Sequence, residues 1–147
     1  MTRSWIVPGV EPDLYLADKS VLVRAASSTV GRRLRQLASA GLLATCAIVE
    51  LEVLYSARSR RDYDNIADEL AGFEHLPIDE AVMDRAKQTQ RALAAVGMHR
   101  LPIPDLVIAA VAEEAGATVL HYDRDFERIA AVTGHAHEWI VEPGSID

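Results

Sequence analysis

Short apolar runs alternate with stretches of helical periodicity along most of the chain. The apolar runs predict strands at residues 14–17, 42–46, 73–78, 118–122 and 139–141. The periodic stretches, bounded by cap residues, glycines and prolines, predict helices at residues 29–40, 47–57, 62–70, 79–96, 105–115 and 126–132. Strands separated by helices favour an α/β fold with a mainly parallel sheet covered on both faces. In such sheets ligands bind outside the carboxyl ends of the strands.

The length and composition fit one folded domain. Of the 147 residues, half are hydrophobic and a quarter are charged. A chain of this length and composition can bury a stable core without disulfide bonds or structural metals. We therefore predict a single domain over residues 1–147, in which the segment 1–12, with its two prolines, is an N-terminal arm. No membrane span or secretory signal is indicated, which favours a cytoplasmic protein. The lone Cys46 is expected to be a small buried residue.

The net charge argues against a protein that binds nucleic acid over its whole surface. The formal charge is −7 at pH 7, whereas phosphate binding depends on clustered Lys and Arg. Two local clusters remain candidates for such binding, and a solvated helix face explains either one equally well. The clusters are Arg32, Arg33 and Arg35, and Arg58, Arg60 and Arg61.

Several acids stand at predicted ends of strands or starts of helices. Asp18 follows the first predicted strand, Asp105 opens a helix after two prolines, and Asp123 and Asp125 follow the fourth strand. Each has a structural explanation of its own: a helix cap for Asp18, the helix macrodipole for Asp105, and turn or cap roles for the other two. From spacing alone, the structural and functional interpretations of Asp18 are equally good.

Glu50 and Glu52 are the charged residues of the predicted helix 47–57, which is otherwise apolar on nearly all sides and is therefore expected to be buried. Two positions on a helix differ by about 200°, so at most one of these carboxylates can face a given cleft. A carboxylate in an apolar helix is costly unless it is paired, protonated or bound to metal. At least one of them is therefore a functional candidate, and the choice between them stays open here.

Together the acids predict a metal centre. Three predicted strand–helix junctions and one apolar helix would each present a carboxylate where a parallel sheet builds its site. Such carboxylates repel one another without a cation, and oxygen ligands without Cys or paired His suit Mg²⁺ or Mn²⁺ rather than Zn²⁺. One or two such ions can hold a phosphodiester and activate a water, so hydrolysis of a phosphate ester is the expected reaction. Ser20 is an accessory candidate for orienting the water or a phosphate oxygen.

Four short segments contain these acids. They are Leu16-Ala17-Asp18-Lys19-Ser20, Glu52-Val53-Leu54-Tyr55-Ser56-Ala57, Pro104-Asp105-Leu106-Val107-Ile108-Ala109-Ala110 and His121-Tyr122-Asp123-Arg124-Asp125-Phe126. In this order and spacing they resemble the motifs of PIN-domain ribonucleases, specifically VapC-type toxins of bacterial toxin–antitoxin pairs. No single motif is specific, but the four together are, and the resemblance runs from about residue 15 to residue 141.

The resemblance implies a three-layer α/β/α fold and an endoribonuclease that depends on Mg²⁺ or Mn²⁺. It further implies a homodimer and inhibition by a cognate antitoxin that lies across the active site. By the match, Asp18 and Asp105 are the best metal ligands, Glu52 and Asp123 complete the catalytic centre, and Asp125 is their neighbour.

Two positions depart from the family pattern. Lys19 stands where the family often has Thr, and His121 where it often has Thr or Ser, so hydroxyl contacts at these places are lost or replaced. Neither departure removes an acid.

Two other readings compete with a ribonuclease. A response-regulator receiver requires a pair of adjacent acids after its first strand. A haloacid-dehalogenase-type phosphatase requires a second Asp two residues after its nucleophile. Lys19 and Ser20 occupy those places, which disfavours both. The alternative from another class is a PIN-like module that binds RNA or protein without cutting, and the intact set of acids makes it the less economical hypothesis.

Overall fold

The computed structural model describes residues 13–147, and the predicted arm at 1–12 lies outside the described residues. The strands are β1 (Tyr15–Ala17), β2 (Leu43–Cys46), β3 (Glu74–Leu76), β4 (Thr118–His121) and β5 (His137–Trp139). The helices are α1 (Lys19–Leu22), α2 (Ser28–Ser39), α3 (Ala47–Leu54), α4 (Arg60–Leu70), α5 (Glu80–Ala94), α6 (Ile103–Ala115) and α7 (Asp125–Thr133).

The five strands form one sheet in the order β3-β2-β1-β4-β5, and every neighbouring pair is parallel. From β1 the chain builds outward to β3 and then returns to the other side of β1 as β4. The strand order therefore reverses between β1 and β4, whose carboxyl ends lie side by side: the Asp18 N–H donates to the Leu120 carbonyl at 2.9 Å. This switch point is where an open α/β sheet binds its ligands.

Helices cover both faces of the sheet because successive strand residues point to opposite sides. Tyr15 and Leu120 belong to the apolar cluster on the side of α1 and α2, which includes Leu34. Leu16 and Val119 belong to the larger cluster on the opposite side, formed with α3, α5, α6 and α7. These three layers confirm the predicted α/β/α fold with a parallel sheet.

Most predicted elements are present with boundaries shifted by a few residues. Asp79 is the predicted N-cap of α5, and its carboxylate accepts a hydrogen bond from the Val82 N–H at 3.0 Å. Gly116 ends α6 in the left-handed conformation, with φ of 68°, which glycine adopts without strain. Cys46 is a buried free thiol, as expected. Within residues 13–147, no helix combines the length and apolar character needed to cross a bilayer.

The last strand differs from its prediction. It comprises His137–Trp139 rather than residues 139–141. The apolar pattern missed its first two residues because buried polar side chains occupy these positions. His137 meets His121 of β4, and the Glu138 carboxylate, fully buried, pairs with the guanidinium of Arg33 on α2. These partners lie far away in the sequence, so an apolar pattern could not locate the strand. Arg33 therefore has a structural role and is not a free cation of its cluster.

Helix α3 is shorter and less buried than predicted. It ends at Leu54, and the side chains of Leu51 and Tyr55 are 62% and 91% exposed. Val49 and Val53 are the buried residues of α3, and Ile48 and Leu54 pack against the core while partly exposed. The helix is apolar all round, but its outer side faces away from the described core and leaves an exposed apolar patch.

Candidate metal centre

Asp18 caps a helix and also faces the switch point. As N-cap of α1, its Oδ2 accepts a hydrogen bond from the Ser20 N–H at 3.0 Å. Its Oδ1 is buried and has no hydrogen-bond partner among residues 13–147. Burial raises the pKa of Asp18, the hydrogen bonds from Ser20 oppose this, and the charge of Glu52 adds to the rise. The two interpretations of Asp18 are therefore compatible, since one oxygen caps and the other remains available.

Ser20 ties the ends of β1 and β4 together. Its Oγ accepts a hydrogen bond from the Tyr122 N–H at 2.9 Å, and its side chain is almost fully buried. This contact fixes the loop after β4 relative to Asp18. The structure thus gives Ser20 a positioning role, and its direct action on water or phosphate stays a prediction.

Asp123 and Asp125 form a compact acidic turn after β4. The Asp123 Oδ1 accepts a hydrogen bond from the Asp125 N–H at 2.9 Å, which sets the start of α7. The Asp125 carboxylate is 2.7 Å from the guanidinium of Arg128, one turn further along α7. The predicted turn role is present, whereas the predicted cap role is not, because the N-cap of α7 is Arg124 and no side chain makes a cap hydrogen bond there. The turn places oxygens of the Asp123 and Asp125 carboxylates within 4.8 Å of each other.

The imidazole of His121 accepts a hydrogen bond from the backbone of this turn and so fixes its position. The sequence did not reveal this role. The His121 Nδ1 accepts a hydrogen bond from the Asp123 N–H at 3.2 Å. With Nδ1 an acceptor, the proton of the neutral ring lies on Nε2, which donates to His137 Nδ1 at 2.9 Å. Burial, and secondarily His137, lowers the pKa of His121 to about 3. A neutral His121 thus replaces a hydroxyl as the local acceptor.

Asp105 brings the third carboxylate from a different direction. The prediction of a strand–helix junction is wrong here, because α6 follows α5 through the loop 95–102 with no strand between them. The Asp105 side chain is only 5% exposed in the first turn of α6. Burial first, and then the charges of Asp18, Asp123, Asp125 and Glu52, raise its pKa to about 8. The charges that act on Asp105 are thus those of all the other acids that the family resemblance assigns to the centre.

Three of the acids can share one ion. Carboxylate oxygens of Asp105, Asp123 and Asp125 all lie within 4.8 Å of one another. The geometry thus includes Asp125 on the same footing as Asp105 and Asp123, whereas the sequence suggested only a neighbour. Asp18 is not part of this group, although its charge acts on the pKa of Asp105 more than that of any other acid.

Glu50 and Glu52 face different partners, as their helical spacing predicts. Glu52 lies 3.3 Å from the ammonium of Lys19 and acts electrostatically on both Asp18 and Asp105. Glu50 instead pairs with His75 of β3 at 2.8 Å. The structure thus brings Glu52, and not Glu50, to the acidic centre.

The residues present fit a hard divalent cation. The buried Asp18 Oδ1 and Glu52 Oε1 both have no hydrogen-bond partner within residues 13–147, and unsatisfied buried carboxylate oxygens are costly. Oxygen donors in this number are typical ligands of Mg²⁺ and Mn²⁺. A cation would satisfy the free oxygen of Asp18 and offset the burial and the repulsion that raise the pKa of Asp105.

The metal-free protein should become less stable as the pH rises, because of Asp105. Its folded-state pKa of about 8 lies above the ordinary value of 3.8, so the folded state binds the extra proton in this window and loses that advantage as the pH approaches 8. In EDTA, the free energy of unfolding should fall by roughly 1–3 kcal/mol more between pH 5 and pH 8 in the parent protein than in Asp105→Asn. Urea unfolding at each pH measures this, and equal pH dependence of the two proteins would contradict it.

Comparison with known proteins agrees with this geometry. The sequence model of the PIN domain matches residues 15–132. "Ribonuclease VapC21" of Mycobacterium tuberculosis is 47% identical over 89% of this chain and 96% of that protein, and "Ribonuclease VapC18" is 45% identical over 90% and 99%. The solved VapBC-5 of the same organism, described as a member of the VapBC family of toxin-antitoxin systems, has a TM-score of 0.61 at 28% identity, covering 87% of this chain and 98% of that one. This chain therefore belongs to the PIN-domain family and, within it, to the VapC ribonucleases.

Proposed function

We propose that this protein is an endoribonuclease toxin that depends on Mg²⁺ or Mn²⁺ and is neutralised by a cognate antitoxin. The observation that carries the proposal is the group of Asp105, Asp123 and Asp125 at the switch point, with the unsatisfied oxygen of Asp18 beside it. The ribonuclease names of the 45–47% identical relatives and the toxin–antitoxin description of the solved neighbour support it.

Asp18, Asp105, Asp123 and Asp125 would hold the ion, with Glu52 at the edge of the site. When bound, such an ion lowers the pKa of a water and stabilises negative charge on a phosphodiester. The protein's own contribution is positioning. Ser20 links the Asp18 and Asp123 loops, His121 fixes the acidic turn, and burial in α6 keeps Asp105 in one place.

A cavity beside the centre suits a single RNA strand. It has a volume of about 400 Å³ and is bordered by Glu52 and Asp123 on the acidic side. Its cations are Lys19 and Arg24, and Tyr55, at its rim, is 91% exposed. Cations that meet phosphates and an aromatic ring on which a base stacks are the usual elements of single-strand binding. RNA can thus bind locally although the whole chain is acidic.

An apolar groove continuous with this cavity suits the antitoxin. The groove has a volume of about 500 Å³ between α2 on one side and α3 and α4 on the other. Leu34, Leu70 and Phe73 line it, and Val23 and Ser56 line both the groove and the RNA cavity. An amphipathic segment that buries its apolar side here would extend directly over the acidic centre.

Cleavage of RNA by the purified protein tests the proposal. Total RNA is incubated with the protein alone in Mn²⁺ or Mg²⁺, with the protein alone in EDTA, and with the protein purified in complex with its co-expressed antitoxin. The cut ends are then mapped. We expect discrete cuts that require metal and disappear with antitoxin. Intact RNA at high protein concentration with bound metal would overturn the proposal and favour a non-cutting PIN-like binding module.

Substitution of the two glutamates should have different effects on cleavage. Glu52→Gln removes a charge that acts on Asp18 and Asp105, and we expect the cleavage rate at fixed Mn²⁺ to fall roughly 10²-fold. Glu50→Gln is the matched control, because Glu50 pairs with His75 away from the centre, and its rate should stay within about twofold of the parent rate. Equal losses in the two variants would contradict this assignment.

The homodimer and the cytoplasmic location remain predictions. The side chain of Leu51, exposed on the outer side of α3, offers apolar surface for self-association.

A further inference from the structure

Lys19 places a positive charge at the edge of the acidic centre. It is the first residue of α1, directly after Asp18, and its ammonium lies 3.3 Å from Glu52 Oε2. The Lys19 side chain is 49% exposed and the Glu52 side chain 19%. Both border the RNA cavity, together with Asp123. The ammonium is thus next to Glu52, at the border of the cavity that a phosphodiester would enter.

Glu52 differs from the aspartates by its position as well as by its partner. It is paired with Lys19. Asp125 is also paired, with Arg128, but its carboxylate lies inside the group that can hold an ion. The carboxylates that can jointly hold an ion are Asp105, Asp123 and Asp125, and Glu52 is not part of that group. Among residues 13–147 no second group of three such ligands exists. The described ligands therefore suit one ion, and next to Glu52 the chain supplies its own charge.

We propose that the Lys19 ammonium takes the place of a second divalent ion in this centre. The inference rests on the proposed ribonuclease function and specifies how its site works. One ion is held by the aspartates, and Lys19 binds a non-bridging oxygen of the scissile phosphate from the Glu52 side. Lys19 is then a catalytic residue that stabilises charge in the transition state.

The reaction balances without any further reactant. The oxygen of water forms a bond to phosphorus while the bond from phosphorus to the leaving ribose oxygen breaks. One proton of the water is released to solvent, and the leaving oxygen takes up one proton from solvent. Lys19 exchanges no atom in this step and contributes its charge and hydrogen bonds, so a cation of the same charge should substitute for it.

The competing explanation is a surface ion pair with no function. Such pairs contribute little to stability, and the loss of this one would then leave both metal binding and cleavage unchanged. Lys87, which is 76% exposed and pairs with Asp84 on α5, is a lysine of that kind. Lys87→Met is therefore the matched control for Lys19→Met.

Counting bound Mn²⁺ and measuring cleavage together test the inference. Electron paramagnetic resonance and calorimetric titration of the metal-stripped protein should give one Mn²⁺ per chain. At saturating Mn²⁺, Lys19→Met should lower kcat roughly 10²-fold with a smaller change in KM, Lys19→Arg should keep most of the rate, and Lys87→Met should match the parent. Thermal unfolding of each variant shows that it is folded.

Two results would overturn the role of Lys19. One is the binding of two Mn²⁺ per parent chain with similar affinity. The other is a Lys19→Met variant that cleaves within about threefold of the parent rate at saturating metal. Either result, obtained with metal-dependent cleavage, leaves the ribonuclease function standing. Absence of cleavage by the parent protein would instead remove that function, and the ion count would still decide whether one or two cations are bound.

Discussion

Asp105→Asn should reduce metal-dependent RNA cleavage by roughly 10³-fold, the largest effect that we expect from a single substitution. Asp105 lies within 4.8 Å, oxygen to oxygen, of both Asp123 and Asp125, and its pKa responds to the charges of Asp18 and Glu52 as well. Asn has the same shape but one oxygen fewer and no charge. The substitution therefore removes the central ligand while it leaves the packing of α6 intact.

Three measurements separate this loss from unfolding. Asp105→Asn should be at least as stable as the parent protein at pH 8 in EDTA, because it lacks the carboxylate whose ionisation is costly there. Addition of Mn²⁺ should raise the melting temperature of the parent and not that of the variant. Asp84→Asn, an exposed acid on α5, is the matched control and should cleave like the parent. An Asp105→Asn variant that retains more than a tenth of the cleavage rate would contradict the assignment of Asp105.

The sequence was informative where local chemistry determines the structure. Asp18 follows a short apolar strand and precedes a helix, so its cap role and its position at the sheet edge both follow from its neighbours. The turn at Asp123 and Asp125 is similarly local, since the hydrogen bond that sets it joins residues two apart. The opposite directions of Glu50 and Glu52 follow from helical geometry alone.

The sequence was less informative where distant residues meet. His121 pairs with His137 across β4 and β5, and the bond from Asp123 to His121 depends on which imidazole nitrogen carries the proton. Asp105 reaches the centre because α6 packs against the central strands β1 and β4, although no strand precedes it. Neither arrangement has a periodic signature, because each depends on contacts between separate elements.

The same limit explains the misplaced last strand. An apolar pattern favours residues 139–141, but a buried polar side chain is stable inside a sheet when another element supplies its partner. Arg33 is that partner for Glu138, and it approaches from α2, more than a hundred residues earlier in the chain.

Arg33→Met should destabilise the fold by roughly 2–4 kcal/mol, the largest stability change that we expect. The Glu138 side chain is fully buried, and the Arg33 guanidinium both pairs with it and donates to the Ile140 carbonyl at 3.1 Å. Met keeps the apolar stem but leaves the buried carboxylate without this cation. Urea unfolding should give a lower midpoint with an unchanged m-value.

Two further variants show whether the buried charge causes this loss. Arg32→Met changes an exposed arginine on the same helix and should alter the free energy of unfolding by less than about 0.5 kcal/mol. Glu138→Gln, combined with Arg33→Met, removes the charge that needs the cation and should recover part of the lost stability. If Arg33→Met and Arg32→Met unfold at the same urea concentration, the ion pair does not stabilise β5. If the double variant recovers nothing, the loss comes from the packing of the arginine stem.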